Sequence, residues 1–264
     1  MKLRIQATGY WKPSDVVTRW VENRRPIHPE IERVIQQAWD EAQQLPGKKL
    51  FDGPMCRLEQ VVANEKLELD LSPTSYRIFW GTNLNNACLA ERFGAAALSN
   101  PVGLSCALES TDGFLLLGRR NATVAYYPSR VHPFAGSLEP SHPVDVFAQV
   151  RRELSEELGF EDSDIGQIAC IGVVEDVAIC QPELIFWVKS KRTRVEIEEM
   201  LLPEEHDAVL AVHSTASGLQ DALKDPALTP VAQGTILLLG RHRFGVAWFD
   251  AAEHLVNLGA HEPV

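Results

Sequence analysis

Two apolar runs joined by a tight turn constrain the fold of this chain more than any other feature. VGLSCALES (102–110) leads into Thr111, Asp112 and Gly113, and FLLLGRR (114–120) follows. Apolar runs of this length around an Asp-Gly turn predict a β-hairpin. A hairpin joins antiparallel neighbours, whereas parallel strands need a crossover connection. The feature therefore favours an antiparallel or mixed sheet over an all-parallel one.

Hydrophobic periodicity predicts strands and helices on both sides of this hairpin. Strands are predicted for KLRIQA, CRLEQVVA, EKLELDLS, IGQIACIGVVEDVAI, ELIFWVKS and DAVLAVH, and for residues 122–127. Helices are predicted for residues 28–45 and 145–158, and for LNNACLAERFGAAALS, RVEIEEMLL, SGLQDALKD and TPVAQGTILLLGRH. PSRVHPFAGSLEPSHP is predicted to be a long loop. The pattern is typical of an α+β or α/β sandwich.

A break at Asn100 and Pro101 suggests two parts of unequal size, because the residue before a proline is biased away from helix. We predict an N-terminal α/β subdomain over residues 1–99 and a second domain over residues 100–264. The sequence leaves open whether the first part is separate or adds strands to the same sheet.

Composition limits the classes of partner. Hydrophobic residues make up 45% of the 264, enough for a core, and 25 Lys and Arg stand against 36 Asp and Glu. The net charge of −11 argues against binding nucleic acid phosphates. Five scattered cysteines without a C-x-x-C pair suggest neither a disulfide framework nor a zinc ribbon. TILLLG is too short to cross a bilayer. We expect a cytoplasmic protein with a small-molecule ligand, and no nucleic acid or membrane partner.

The helix predicted over residues 145–158, which Gly159 is expected to end, carries a crowded acidic turn. Glu153, Glu156 and Glu157 are related by i, i+3 and i+4, so they share a face within one turn. Like charges this close repel, so the cluster is stable if it is solvated or holds a cation. Hard oxygen ligands in this number suit Mg²⁺ or Mn²⁺. The alternative is a solvated helix surface with i, i+4 salt bridges.

This turn lies in RELSEELGF, which runs from Arg152 to Phe160. The stretch resembles the second half of the Nudix box, G-x5-E-x7-R-E-U-x-E-E-x-G-U, where U is aliphatic or bulky and apolar. Every fixed position of that half is present. The resemblance implies that Glu153, Glu156 and Glu157 are catalytic metal ligands. It also implies that Arg152 is a catalytic-site residue that orients a glutamate.

The first half of the box departs from the pattern. With Gly136 of FAGSLEP as the box glycine, the glutamate position falls on His142, and the spacing to Arg152 is two residues too long. In the family this glycine loop shapes the pyrophosphate site, which makes Gly136 a candidate substrate-binding residue. Asp145 is a candidate helix N-cap or first-turn anion. His132 and His142 flank the loop and either contact substrate or have no such role.

A second resemblance lies outside the box. LFDGPMCRLE, LSPTSYRIFWGTN, NPVGLSCAL, LLGRR and PEEHDAVLAV are similar, in this order, to segments of the eukaryotic Nudix UDP-sugar diphosphatases. The resemblance implies a Nudix fold for residues 100–264, which is an α+β fold, an α/β/α sandwich with a mixed sheet, together with an added N-terminal α/β part. It also implies Mg²⁺-dependent hydrolysis of UDP-glucose or UDP-galactose to UMP and a sugar 1-phosphate. A homodimer is a further expectation. The alternatives are a Nudix pyrophosphatase for ADP-ribose or a dinucleotide, and a non-catalytic nucleotide-binding module.

Two arginines are candidates for binding the phosphates. Arg119 and Arg120 end the second strand of the predicted hairpin, which we expect to lie beside the glycine loop. A guanidinium group there can bind a phosphate through two hydrogen bonds. A surface salt bridge is the alternative for each.

A polar and aromatic segment supplies three more substrate-binding candidates. Tyr76 and Arg77 can stack on a base or contact phosphate, and Asn83 can hydrogen-bond a base or sugar. The alternative is that Tyr76 belongs to the core with Phe79 and Trp80, which follow at near-helical spacing.

The general base has several candidates. Glu157 can act from the helix, or Glu204, Glu205 or His206 can act from the PEEHD segment. The alternative for PEEHD is a solvated turn before a strand.

Overall fold

A large mixed sheet lies at the centre of the chain, in a computed structural model that describes residues 3–45, 50–203 and 205–259. The strands are β1 (Leu3–Trp11), β2 (Val16–Trp20), β3 (Pro54–Ala63), β4 (Leu67–Ser75), β5 (Gly103–Glu109), β6 (Phe114–Arg120), β7 (Val131–His132), β8 (Phe134–Ser137), β9 (Ile165–Asp176), β10 (Gln181–Ser190) and β11 (His206–His213). The order of strands in the large sheet is β1-β9-β10-β5-β6-β11, with β7 paired to β6 and β8 to β5, while β2, β4 and β3 form a separate sheet. Only the β10–β5 pair of the large sheet is parallel in the described residues.

Helices and the small sheet cover both faces of the large sheet. The helices are α1 (Pro29–Gln43), α2 (Tyr76–Phe79), α3 (Leu89–Phe93), α4 (Val146–Leu158), α5 (Arg194–Met200), α6 (Ala216–Ala222), α7 (Pro230–Phe244) and α8 (Val246–Gly259). One hydrophobic core cluster contains Leu104 of β5, Val150 of α4 and Leu69 of the small sheet. The other contains Leu115 of β6 and Leu237 of α7. The predicted α+β sandwich with a mixed sheet is confirmed.

The N-terminal part contributes to both sheets. β1 pairs with β9 at the edge of the large sheet, whereas β2 to β4 form the three-stranded sheet. α1 packs on the π-helix Trp80–Leu84 so closely that a Cβ on Gly81 would lie 2.7 Å from the Cα of Ile35. The N-terminal residues are therefore both added strands and a sheet of their own. The division at residues 99 and 100 stays a prediction.

The large sheet splits next to α4. β5 and β6 pair only at Leu108–Leu116 and Glu109–Leu115 in the described residues. Beyond these pairs β8 lies against β5, and β7 lies against β6. The predicted long loop is wrong here, because it contains both β7 and β8. Strands of two and four residues are too short to produce a recognisable hydrophobic period.

Two other element predictions are wrong. Residues 122–127 form turns and not a strand, and Tyr127 and Ser129 have φ values of 51° and 62°, which strand backbone does not adopt. The helix predicted for LNNACLAERFGAAALS is reduced to α3 and the 3₁₀ turn Ala95–Ala97, separated by Gly94 at φ 81°. β2 and α8 were not predicted. Pro46 and Gly47, a pair that is expected to end the helix predicted for residues 28–45, lie outside the described residues.

None of the described helices combines the length and apolar character needed to cross a bilayer.

Candidate active site

The helix α4 is held at both ends as predicted. Oδ1 of Asp145 accepts hydrogen bonds from the backbone N–H groups of Phe147 and Ala148, at 2.9 and 3.0 Å. Gly159 ends the helix at φ 65°, a left-handed conformation that glycine adopts without strain. Leu154 is fully buried on the inner face. These contacts fix the position of the acidic turn against the split in the sheet.

Two of the three predicted metal ligands face the sheet. The side chains of Glu153 and Glu157 are 12% and 7% exposed, whereas that of Glu156 is 59% exposed. The solvated-surface alternative therefore describes Glu156 and does not describe the other two. Buried carboxylates need a partner or a cation to remain ionised.

Glu153 packs against the glycine loop. A Cβ on Gly136 would lie 2.0 Å from its Cδ, so only glycine leaves room for this carboxylate. Nε2 of Gln149 donates a hydrogen bond to its Oε1 at 2.7 Å. Burial raises the pKa of Glu153 to about 7, the Gln149 hydrogen bond opposes that rise, and the charges of Glu156 and Glu157 add to it. The predicted site residue Gly136 is thus in direct contact with the acidic turn.

Glu157 lies deeper, between β8 and β11. The backbone N–H of Ala135 donates a hydrogen bond to its Oε2 at 3.0 Å. Its Oε1 has no hydrogen-bond partner among the described residues, although Nδ1 of His206 lies 3.3 Å away, outside hydrogen-bond geometry. Burial raises the pKa of Glu157 well above its ordinary range, and the charge of Glu205 adds to the rise. This carboxylate therefore has one satisfied oxygen and one free oxygen.

Arg152 is held by Glu139, a residue that the sequence analysis did not predict as part of the site. Its Nη1 and Nη2 donate to the two carboxylate oxygens of Glu139, both at 2.8 Å. Arg152 also lies 3.4 Å from Glu156 and 3.9 Å from Glu153. The hydrogen bond to Arg152 lowers the pKa of Glu139. Glu139 thus links the glycine loop to the acidic turn, whereas His142, which occupies the box position, is exposed beside Trp20.

The sequence carried a weak signal for Glu139. It is the first carboxylate after Gly136, in a loop whose length departs from the box. A search that allowed the acidic position to shift within the loop would have included it.

The two candidate arginines, Arg119 and Arg120, lie in different environments. Arg120 is 5% exposed, its guanidinium carbon lies 4.8 Å from the ring centroid of Tyr126, and its Nε has no hydrogen-bond partner in the described part of the chain. Arg119 is exposed and forms an ion pair with Asp207 at 2.6 Å, which is the surface salt bridge of the alternative. The structure therefore brings Arg120, but not Arg119, towards the interior of the site.

A further buried carboxylate, Glu183, lies at the start of β10 and was not predicted. Oγ of Ser105 donates to its Oε2 at 2.5 Å. Burial raises the pKa of Glu183 to about 7, and the Ser105 hydrogen bond and the charge of Arg120 act in the opposite direction. Its position within an apolar strand explains why no motif identified it.

Tyr76 lies in an aromatic cluster. Its ring centroid is 6.3 Å from those of Trp39 and Phe79 and 6.2 Å from that of Trp80, as the core alternative expects. Burial raises the pKa of Tyr76, and the charge of Glu205 adds to the rise. Tyr76 therefore belongs to an aromatic cluster, and its predicted contact with substrate stays a prediction.

Arg77 and Asn83 have partners of their own. Arg77 donates from Nη1 to Oε1 of Gln36 at 3.0 Å, on the surface of α1. Asn83 is fully buried, donates to the carbonyl of Ile179 at 2.7 Å and accepts from the N–H of Ser99 at 2.9 Å. The structure does not bring either residue to the acidic turn, and their predicted contacts with substrate stay predictions.

The PEEHD candidates differ in burial. Glu205 is exposed and Glu204 lies outside the described residues, whereas His206 is 1% exposed at the start of β11. A solvated turn therefore describes Glu205 but not His206. His132 is also buried, and its Nδ1 lies 2.8 Å from Oγ1 of Thr229.

The donor set fits a hard divalent cation. Within the described residues, no group of three or more His, Cys, Asp or Glu side chains is arranged so that it could hold a metal ion. Glu153 and Glu157 nevertheless supply two buried carboxylates, and the latter has a free oxygen. Mg²⁺ is commonly held by one or two carboxylates with waters and substrate phosphates as the other ligands. An incomplete protein shell is thus compatible with Mg²⁺ or Mn²⁺.

Comparison with known proteins gives relatives that match most of the chain. No protein-family model matches it. It is 27% identical over 257 residues to the uridine diphosphate glucose pyrophosphatase NUDT22 of Mus musculus, a match that covers 83% of each chain. It is 27% identical over 280 residues to that of Homo sapiens, covering 90% of this chain and 92% of the relative.

The chain resembles the Nudix UDP-glucose pyrophosphatases. This similarity confirms the resemblance that the Nudix box and the outlying segments indicated. Among solved structures the chain is also similar to the MutT protein from Methanosarcina mazei Go1, with 18% identity and a TM-score of 0.40 over 55% of this chain and 95% of that one. The roles of the individual site residues stay predictions.

Proposed function

We propose that the chain is a metal-dependent Nudix hydrolase that cleaves the pyrophosphate of a nucleoside diphosphate sugar, UDP-glucose or UDP-galactose, to UMP and a sugar 1-phosphate. The observation that carries this proposal is the extent of the similarity. An alignment that spans 90% of the chain must include much of residues 1–99 as well as the acidic turn. The relatives therefore share the N-terminal part as well as the helix, and their name states the substrate class.

The residues of the acidic turn would hold the cation. We assign Glu153 and Glu157 as its ligands, with Glu156 completing the set from the exposed side of the same turn. A bound Mg²⁺ or Mn²⁺ neutralises pyrophosphate charge and lowers the pKa of a bound water. The Glu139–Arg152 pair fixes the turn relative to the glycine loop, so the carboxylates are positioned before substrate arrives.

Arg120 and Glu205 complete the proposed site. Arg120 is a buried cation whose Nε–H has no hydrogen-bond partner among the described residues, and a phosphate oxygen is the partner that such a donor favours. Glu205 is exposed, and its charge raises the pKa of Glu157. An exposed carboxylate can reach a water, so we assign Glu205 as the general base among the described candidates.

A substrate panel tests the proposal. The purified protein is incubated with Mg²⁺ or Mn²⁺ and UDP-glucose, UDP-galactose, ADP-ribose or NADH, and the products are separated by chromatography. UMP formed from the UDP-sugars is the expected result. Turnover of ADP-ribose or NADH alone would replace the substrate assignment, and no turnover with either metal would overturn the proposed activity.

Two variants accompany the panel. Glu157→Gln removes a charge with little change of shape and is expected to abolish most turnover. Asp162→Asn is the matched control, because Asp162 forms an exposed ion pair with Arg151 on the outer side of the same helix. Wild-type turnover by Glu157→Gln would show that the metal assignment is wrong.

A further inference from the structure

His206 lies against Glu157, the most deeply buried carboxylate of the acidic turn. Its Nδ1 is 3.3 Å from Oε1 of Glu157, and both side chains are almost fully buried. Neither atom has a hydrogen-bond partner among the described residues. Buried polar atoms without partners are rare in folded proteins, and at 3.3 Å each of these atoms is a potential partner of the other, although their present geometry is not that of a hydrogen bond. A carboxylate oxygen has two lone pairs, so Oε1 can accept from the ring and still bind a cation. The contact therefore calls for a functional explanation as well as a packing one.

The imidazole ring is confined on both sides. His206 pairs across the sheet next to β6, and a Cβ on Gly118 would lie 2.2 Å from its Cδ2. The ring centroid of Phe134 lies 5.3 Å away at an interplanar angle of 70°. Any side chain at position 118 would displace the ring. The glycine in LLLGRR thus leaves the space that the histidine occupies.

The Glu157 carboxylate is consequently held from two directions. The backbone N–H of Ala135 on β8 holds Oε2, and the imidazole of His206 on β11 faces Oε1. An imidazole ring carries a proton on at least one of its nitrogens, and that N–H can donate to a carboxylate oxygen.

A direct catalytic role fits this geometry poorly. A general base must reach the water or group from which it takes the proton. His206 is 1% exposed and lies behind Glu157, at the foot of the acidic turn. Its contact is with the proposed metal ligand and not with solvent.

We propose that His206 is a positioning residue that orients the Glu157 carboxylate towards the cation, from the opposite side to the Ala135 N–H. This inference rests on the proposed function, because it assumes that Glu157 is a metal ligand. Residues that orient ligands in this way are worth about 10- to 100-fold in metal affinity or activity.

Three substitutions separate positioning from space filling. His206→Asn places an amide nitrogen near the position of Nδ1, His206→Gln places it near that of Nε2, and His206→Leu retains apolar volume only. His213→Leu is the matched control, because His213 ends the same strand, is exposed and packs on Phe114.

The main measurement is Mn²⁺ affinity of the substrate-free protein, by electron paramagnetic resonance, with kcat and KM for UDP-glucose as a second readout. We expect Mn²⁺ binding to weaken about 10- to 100-fold in His206→Leu and His206→Gln, to recover in His206→Asn, and to be unchanged in His213→Leu. Circular dichroism confirms that each variant is folded. Should the leucine variant not fold, the comparison of Asn with Gln gives the same answer.

The outcomes distinguish this proposal from the proposed function. Wild-type Mn²⁺ affinity in folded His206→Leu, or equal affinities in His206→Asn and His206→Gln, would reduce the histidine to a packing residue. A wild-type protein that binds no Mn²⁺ would overturn the inference as well. Mn²⁺ binding that depends on His206, in a protein that hydrolyses no UDP-sugar, would support the positioning role and reject the substrate.

Discussion

Glu153→Gln should make the metal-free protein more stable at high pH. The carboxyl has an ordinary pKa of 4.5 and a pKa of about 7 in the fold, chiefly because it is buried. The folded protein therefore keeps a proton that the unfolded chain has released. As a result, the free energy of unfolding falls as the pH rises from about 4.5 to about 7 and is then constant. Below about pH 4.5, Glu153 is protonated in both the folded and the unfolded protein, so it does not make the free energy of unfolding depend on pH.

The size of the effect follows from that difference in pKa. Each pKa unit corresponds to about 1.4 kcal/mol, so ionising Glu153 in the fold costs about 3 kcal/mol at pH 8. Glutamine removes this cost because it is neutral at every pH, and its carbonyl can still accept the hydrogen bond from Gln149. We therefore expect the variant to exceed the wild type by about 3 kcal/mol at pH 8 and to match it near pH 4.

Urea denaturation in the presence of EDTA, at pH values from 4 to 8, measures this difference. Glu156→Gln is the matched control on the same turn, because its side chain is 59% exposed. We expect that variant to differ from the wild type at pH 8 much less than Glu153→Gln does, because it only removes a charge that adds to the raised pKa of Glu153. A Glu153→Gln protein that was less stable at pH 8, or that differed equally at both ends of the range, would refute the reasoning about burial.

Two further predictions concern the supports of the acidic turn. Glu139→Gln should lower kcat/KM for UDP-glucose about 10-fold, because it weakens the contact that both carboxylate oxygens make with Arg152. The same substitution should lower the free energy of unfolding in urea by less than about 1 kcal/mol, since both side chains are nearly half exposed. Asp162→Asn is its control, and equal activities of the two variants would contradict the positioning role of Glu139. Asp145→Ala should lower the free energy of unfolding by about 1 kcal/mol through loss of the helix cap, and an unchanged midpoint would contradict that assignment.

Local patterns predicted most of the elements. The Asp-Gly hairpin became β5 and β6, the alternating runs around Asn64 became β3 and β4, and the helix from Asp145 to Gly159 has the caps that its sequence indicated. These features depend on residues close in the chain, where turn chemistry and capping act. The failures, at residues 122–127 and in the loop that contains β7 and β8, lie where backbone conformation depends on distant partners.

Some features of the candidate site likewise depend on residues close in the chain, and others depend on distant ones. The order of residues in α4 by itself determined that three carboxylates share one helical turn, because the helical repeat places i, i+3 and i+4 together. Only the tertiary structure decided that Glu153 and Glu157 are buried while Glu156 is exposed. It also placed Glu139 on Arg152, and His206 behind Glu157 in the space left by Gly118. Those contacts join a loop, a helix and two strands that are distant in sequence, and burial and pKa follow from which of them meet.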